Sequence, residues 1–167
     1  MECMRPMGPA TTTYTAWKPE LASEIIAGHA GENGALLPIL HDLQHEFGWV
    51  PDDAVPLLAE ALNISRAEVH GVLTFYHDFR REPAGKHVVK LCQAEACQSR
   101  GSRALTAHAE KHLGVTLGET TPDGQVTLEA IYCLGLCASG PSGLVDDRPV
   151  ARLDPARFDK LMKGVGR

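Results

Sequence analysis

Four of the five cysteines stand in two tight pairs, Cys92-x4-Cys97 and Cys133-x3-Cys137, and 35 residues separate the pairs. Whatever elements surround them must bring two distant loops to one place if the four thiols are to share a metal. Four thiolates suit soft-ligand centres, which means structural zinc or an iron–sulfur cluster. The spacing favours the second. Zinc ribbons and fingers usually use a C-x2-C knuckle, whereas gaps of four and three residues trace a wider arc, as a two-iron cluster needs when each pair grips its own iron. Two disulfides would require an oxidising compartment, and nothing in the chain announces one.

A chain of 167 residues has room for one domain with a small appendage, and its 44% hydrophobic content supports a buried core. Lys+Arg 16 against Asp+Glu 21 leaves a formal charge of -5, with no basic run or stripe. A nucleic-acid or anionic-membrane surface is therefore not expected, and the expected partner is another protein. Residues 1–15 contain one arginine and no continuous apolar stretch, so they do not read as a secretory signal, and no window reads as a transmembrane span. A reducing, cytoplasmic setting is expected, where paired cysteines mean metal or redox chemistry.

Along the chain, residues 1–16 lack periodicity and read as a flexible lead, with Cys3 an incidental thiol within it. Residues 17–82 read as a bundle of four amphipathic helices. The first starts at Pro19 and carries Leu21, Ile25 and Ile26, with Gly31 as a stop. The second spans residues 35–47 with Leu36, Leu40, Leu43 and Phe47 on one face and Gly48 as its cap. The third spans residues 52–62, opened by Asp52 or Asp53 and closed by Asn63. The fourth opens with a capping box, Ser65-x-x-Glu68, and runs through Tyr76. The aromatic run Thr74–Phe79 reads as a packing junction with the second half of the chain, and His77 as part of it. His41 and His45, one helical turn apart, approach a zinc-binding helix motif but have no evident third ligand, so they read as a solvated face. His108 and His112 share that spacing and that reading.

The segment 80–85 (RREPAG) is a charged Pro/Gly connector, and residues 83–167 read as a second domain. Strands are expected over 86–91, 115–117, 126–132, 144–145 and 150–153. Helices are expected over 102–113 and from an Asp154 cap and Pro155 through Leu161. The first and third strands deliver Cys92 and Cys133 at their ends. The resulting order, helices against a small mixed sheet, is that of the thioredoxin topology, so the expected class is α+β.

The runs LCQAEACQSRG and LEAIYCLGLCASGP, preceded by LLPILHDLQHEFGWVP and GVLTFYHDF, resemble the thioredoxin-like [2Fe-2S] ferredoxin family over residues 34–162. That family includes the 24-kDa-type subunit of respiratory complex I and its relatives in NAD-linked hydrogenases and formate dehydrogenases. The CQAEAC form of the first pair most resembles the gamma subunits of cytoplasmic, molybdenum-containing, NAD-dependent formate dehydrogenases. The resemblance implies one [2Fe-2S] cluster held by Cys92, Cys97, Cys133 and Cys137. It further implies a one-electron role without catalysis of its own, a flavin- and NAD-binding partner, and a molybdenum-containing catalytic subunit in the same complex. A zinc-stabilised interaction module is the alternative from another class. A disulfide oxidoreductase is disfavoured, because no C-x2-C opens a helix.

Overall fold

The computed structural model describes residues 14–166, which form two compact units, one ending at Pro83 and the other beginning at Ala84. The expected lead falls mostly outside the described residues, as does Cys3. Its last residues are not loose: Thr15 bonds Glu46 through both backbone and side chain.

The first unit contains α1 (Pro19–Gly28), α2 (Leu36–Phe47), α3 (Ala54–Leu62) and α4 (Arg66–Phe75). Their apolar faces meet in one cluster that includes Ile26, Ile39, Leu40, Leu43, Phe47, Leu58, Val69, Leu73 and Phe79. Gly48 and Asn63 end α2 and α3 in the left-handed conformation, and both halves of the Ser65/Glu68 capping box form. One expectation fails here. Asp53 precedes α3 in a helical conformation and caps nothing with its side chain, while Asp52 is drawn off to the Arg81 guanidinium. In the aromatic run Phe79 enters the core of its own unit, while Phe75 is 73% and Tyr76 43% exposed.

The second unit contains β1 (His87–Cys92), the single turn α5 (Glu95–Gln98), α6 (Ser102–Leu113), β2 (Val126–Ile131), β3 (Gly143–Val145), β4 (Arg148–Val150) and α7 (Pro155–Gly164). The strands lie in the order β2-β1-β3-β4. Strands β1 and β2 are parallel, with Cys92 opposite Ile131, and β3 runs antiparallel to β1, with Leu91 opposite Gly143. Val89, Leu91, Leu128 and Val145 from the sheet pack with Leu105, Ala109 and Leu113 of α6 and with Phe158 and Met162 of α7. This is an α+β, thioredoxin-like arrangement.

The expected strand over 115–117 does not form. The Thr116 amide donates to Glu119 Oε2 (2.7 Å) and the Leu117 amide to Glu110 Oε1 (3.2 Å), so local carboxylates take the donors that a ladder would need. The segment instead folds back on β2 through an isolated bridge from Thr120 to Thr127. The hairpin partner of β3 also lies earlier than expected. Asp146 and Asp147, at φ 50° and 62°, make a two-residue turn, so pairing starts at once with Val145 opposite Arg148. Asp146 Oδ1 accepts the Val88 amide and Oδ2 lies 2.8 Å from His87 Nδ1, which anchors this turn to β1. Among the described residues no helix is long and apolar enough to cross a membrane.

Candidate metal centre

Sheet register builds the site. Because β1 and β2 are parallel and end level, Cys92 and the chain leaving Ile131 emerge at the same end of the sheet. Because β3 runs antiparallel to β1, the loop from 132 to 142 returns to that end, and the Cys92 amide donates to the Ser142 carbonyl there (2.9 Å). Two loops far apart in sequence are thus pinned against each other by backbone hydrogen bonds.

The first loop turns immediately into α5. Cys97 sits in that turn, its amide bonded to the Ala94 carbonyl, and Ser102 at the start of α6 donates its hydroxyl to the Cys92 carbonyl. Both Cys92 and Cys97 are only 1% exposed. The second loop begins with Cys133 at φ 60°, a left-handed conformation that costs a side-chain-bearing residue roughly 1–2 kcal/mol and turns the chain sharply off the strand. The same turn aims the amides of Cys133 and Leu134 at the Cys92 thiol. Burial pushes that thiol up, but these amides, that of Ala94 and the Cys97 thiol together hold it below the ordinary thiol range.

Cys137 opens a short 3-10 turn, and its Sγ lies 3.8 Å from that of Cys133. The Cys133 thiol, by hydrogen bonding and then by its charge, pushes Cys137 up, and Cys97 adds to this. Four thiolates cannot stand side by side without positive charge among them, and a bound metal supplies it. All four thiols are free, with Cys133 exposed and Cys137 half-buried. Close approach of the loops also favours a glycine at Gly140. A Cβ there would lie 3.2 Å from Cys97 Sγ.

Several contributors to this site have no sequence signal. Ser142 is 1% exposed and places its hydroxyl 3.6 Å from Cys97 Sγ, across 45 positions of chain. Arg100 Nε donates to the Gly140 carbonyl (3.0 Å), tying the end of the first loop to the second. Gln93 reaches Thr106 of α6, and Gln98 returns to the Gln93 carbonyl.

Residues 22–166 match the family described as thioredoxin-like [2Fe-2S] ferredoxin. This chain belongs to the thioredoxin-like [2Fe-2S] ferredoxin family. The E-type subunit of the NADH-quinone oxidoreductase of Pseudomonas aeruginosa is 36% identical over 129 residues, 77% of this chain and 78% of that protein. An E-type subunit of the same oxidoreductase from Rhizobium meliloti is 38% identical over 137 residues, 82% of each chain. An NAD+-reducing [NiFe]-hydrogenase, solved in the air-oxidized state, superposes with a TM-score of 0.68 and 26% identity over 79% of this chain. The match spans 23% of that hydrogenase chain, less than a quarter of its length. The cofactor of this ferredoxin is one [2Fe-2S] cluster, which removes the zinc reading, and the donor set fits it: four thiols on two converging loops, amides aimed at sulfur, and a glycine cradle.

The histidine pairs part ways. On α2, His41 rests against the Phe79 ring, and Asp42 between the two histidines bonds His29 Nε2 (2.8 Å), so no metal-ligand group gathers around them among the described residues. Glu32 first, then Asp42, raise the His29 pKa above its ordinary value by hydrogen bonding. On α6, by contrast, His108, half-buried, and His112, exposed, both approach Asp159 of α7. The His108 hydrogen bond is the main cause holding the Asp159 carboxyl below the usual carboxylate range.

Proposed function

We propose that this ferredoxin is the one-electron iron–sulfur subunit of a cytoplasmic, NAD-dependent, molybdenum-containing formate dehydrogenase, with Cys92, Cys97, Cys133 and Cys137 as the cluster ligands. The observation that carries the ligand assignment is the convergence of two cysteine-bearing loops at one end of the sheet. The bound cluster supplies one-electron chemistry. The chain's own residues hold it dry on one side and approachable on the other. Cys92 and Cys97 are shut in, whereas Cys133 is exposed and its neighbour Tyr132 is 74% exposed. A redox partner therefore reaches the site from the Cys133 and Cys137 side.

The partner in this reading is a flavin- and NAD-binding subunit. The relatives support the NAD side of it, since both the oxidoreductase and the hydrogenase carry NAD in their names. Formate chemistry rests on the CQAEAC sequence of the first ligand loop. The 36% identity to the Pseudomonas oxidoreductase subunit supports a second reading, the equivalent subunit of a complex I assembly.

Purification of the native complex tests both. The protein should carry iron and inorganic sulfide in equal amounts and give a paramagnetic signal only after reduction, and a molybdenum subunit with formate-dependent NAD+ reduction should copurify. Copurification with quinone-linked membrane subunits instead would select the second reading, and zinc in place of iron and sulfide, in a colourless protein, would sink the ligand assignment.

The helical unit serves this reading as a docking surface. Leu36, Ile64, Val72, Phe75 and Tyr76 line an apolar depression around the exposed Phe75 ring. Phe75→Ala should leave iron content and melting temperature unchanged but weaken assembly with the partner subunit ~tenfold or more, since buried aromatic anchors carry much of an interface's affinity. Unchanged copurification yield would remove the docking role.

A further inference from the structure

Away from the thiol loops, His108, His112 and Asp159 each offer one ligand atom, and the three atoms lie within 4.8 Å of one another. The two histidines are a helical turn apart on α6, and the aspartate comes from α7, so the group bridges two elements packed on the same core. Asp159 Oδ1 lies 2.7 Å from His108 Nε2 and 3.3 Å from His112 Nδ1. Both imidazoles stand edge-on to Phe158, at centroid distances of 6.1 and 5.9 Å, and Phe158 is 1% exposed. The rings are therefore positioned by a fixed core residue adjacent to the third ligand.

We propose that His108, His112 and Asp159 form a second metal site that binds a divalent transition cation of the zinc type. Two imidazoles one turn apart with a carboxylate from another element make the donor set of three-ligand zinc sites, which leave a position for water. Two nitrogens among three donors disfavour magnesium and calcium, which take oxygen ligands. The spacing needs little change, because nitrogen and oxygen donors about 2.0–2.2 Å from one zinc ion stand roughly 3–3.5 Å apart. The ion would replace the His108 hydrogen bond and the His112 contact to Asp159 and pin α6 to α7. Since α6 begins at Ser102, whose hydroxyl holds the Cys92 carbonyl, this clamp would stiffen the support behind the first ligand loop.

The test uses the full chain with its cluster in place. Dialysis against zinc should load one zinc per chain with the cluster's visible absorption unchanged, and should raise the melting temperature, as a ligand of the folded state must. His112→Ala, at an exposed position, and Asp159→Asn should each weaken zinc binding ~tenfold or more and abolish the thermal shift. Because thiols can also take zinc, the second readout is local: zinc should protect His108 and His112, but not His41 or His45, from acylation by diethyl pyrocarbonate. Equal zinc affinity in wild type and His112→Ala, or equal acylation of His108 with and without zinc, would overturn the site. Magnesium protecting as well as zinc would overturn the assignment of the cation.

Discussion

Cys97→Ser should purify as a folded but almost colourless protein, with iron and sulfide reduced to a small fraction of the wild-type content. The serine oxygen is smaller and harder than sulfur, and Cys97 sits where neither loop can move in to compensate, against Gly140 on one side and the Ser142 hydroxyl on the other. Cys92→Ser should behave alike, since three amides aimed at its sulfur depend on the same close approach. Cys133→Ser and Cys137→Ser lie on the exposed side, where the loop has freedom to adjust, so those variants should assemble a cluster that is lost quickly in air. Cys3→Ser should be indistinguishable from wild type. Visible absorption and iron analysis of the five variants decide the matter, and a colourless Cys3→Ser protein would mean that the ligand set is wrong.

The second large effect is on stability. Gly143→Ala would place a Cβ 2.4 Å from the Lys90 carbonyl oxygen, which is backbone and cannot swing aside. Strand β3 would have to withdraw from β1 where Leu91 faces Gly143, next to the Ser142 carbonyl that holds Cys92. A loss of roughly 2 kcal/mol or more is expected, together with a more labile cluster. The contrast is Gly71 in α4. A Cβ there meets nothing within 4 Å and the backbone is helical, so Gly71→Ala should stabilise by about 0.5–1 kcal/mol. Chemical denaturation of the two variants reads both signs, and an unperturbed Gly143→Ala protein would show that the sheet tolerates the displacement.

Much of this structure is legible from local chemistry. Helix α6 spans the same residues as its periodicity indicates, 102–113, because its apolar positions and Gly114 cap lie within a few residues of one another. The Ser65/Glu68 box and the Asp154 cap of α7 are legible for the same reason, each closing over three residues. Local reading fails where a distant or competing group takes the backbone. Residues 115–117 have strand-like composition, yet Glu110 and Glu119 claim their amides. Asp53 looks like a cap and is not one. Phe75 and Tyr76 look like core and face solvent, because α4 turns its other face, Val69 and Leu73, inward.

The thiol site divides along the same line. The proposal that four cysteines belong to soft-metal chemistry rests on residue type and spacing, both properties of a few neighbouring positions, and the surrounding motifs carry the family. Tertiary structure alone decides the asymmetry between a buried and an exposed pair and the Ser142 hydroxyl beside Cys97. It also decides the meeting of His108 and His112 with Asp159, some fifty positions along the chain. These depend on strand register and helix packing, which are set by summed burial over whole elements and leave no mark on any single short stretch of sequence.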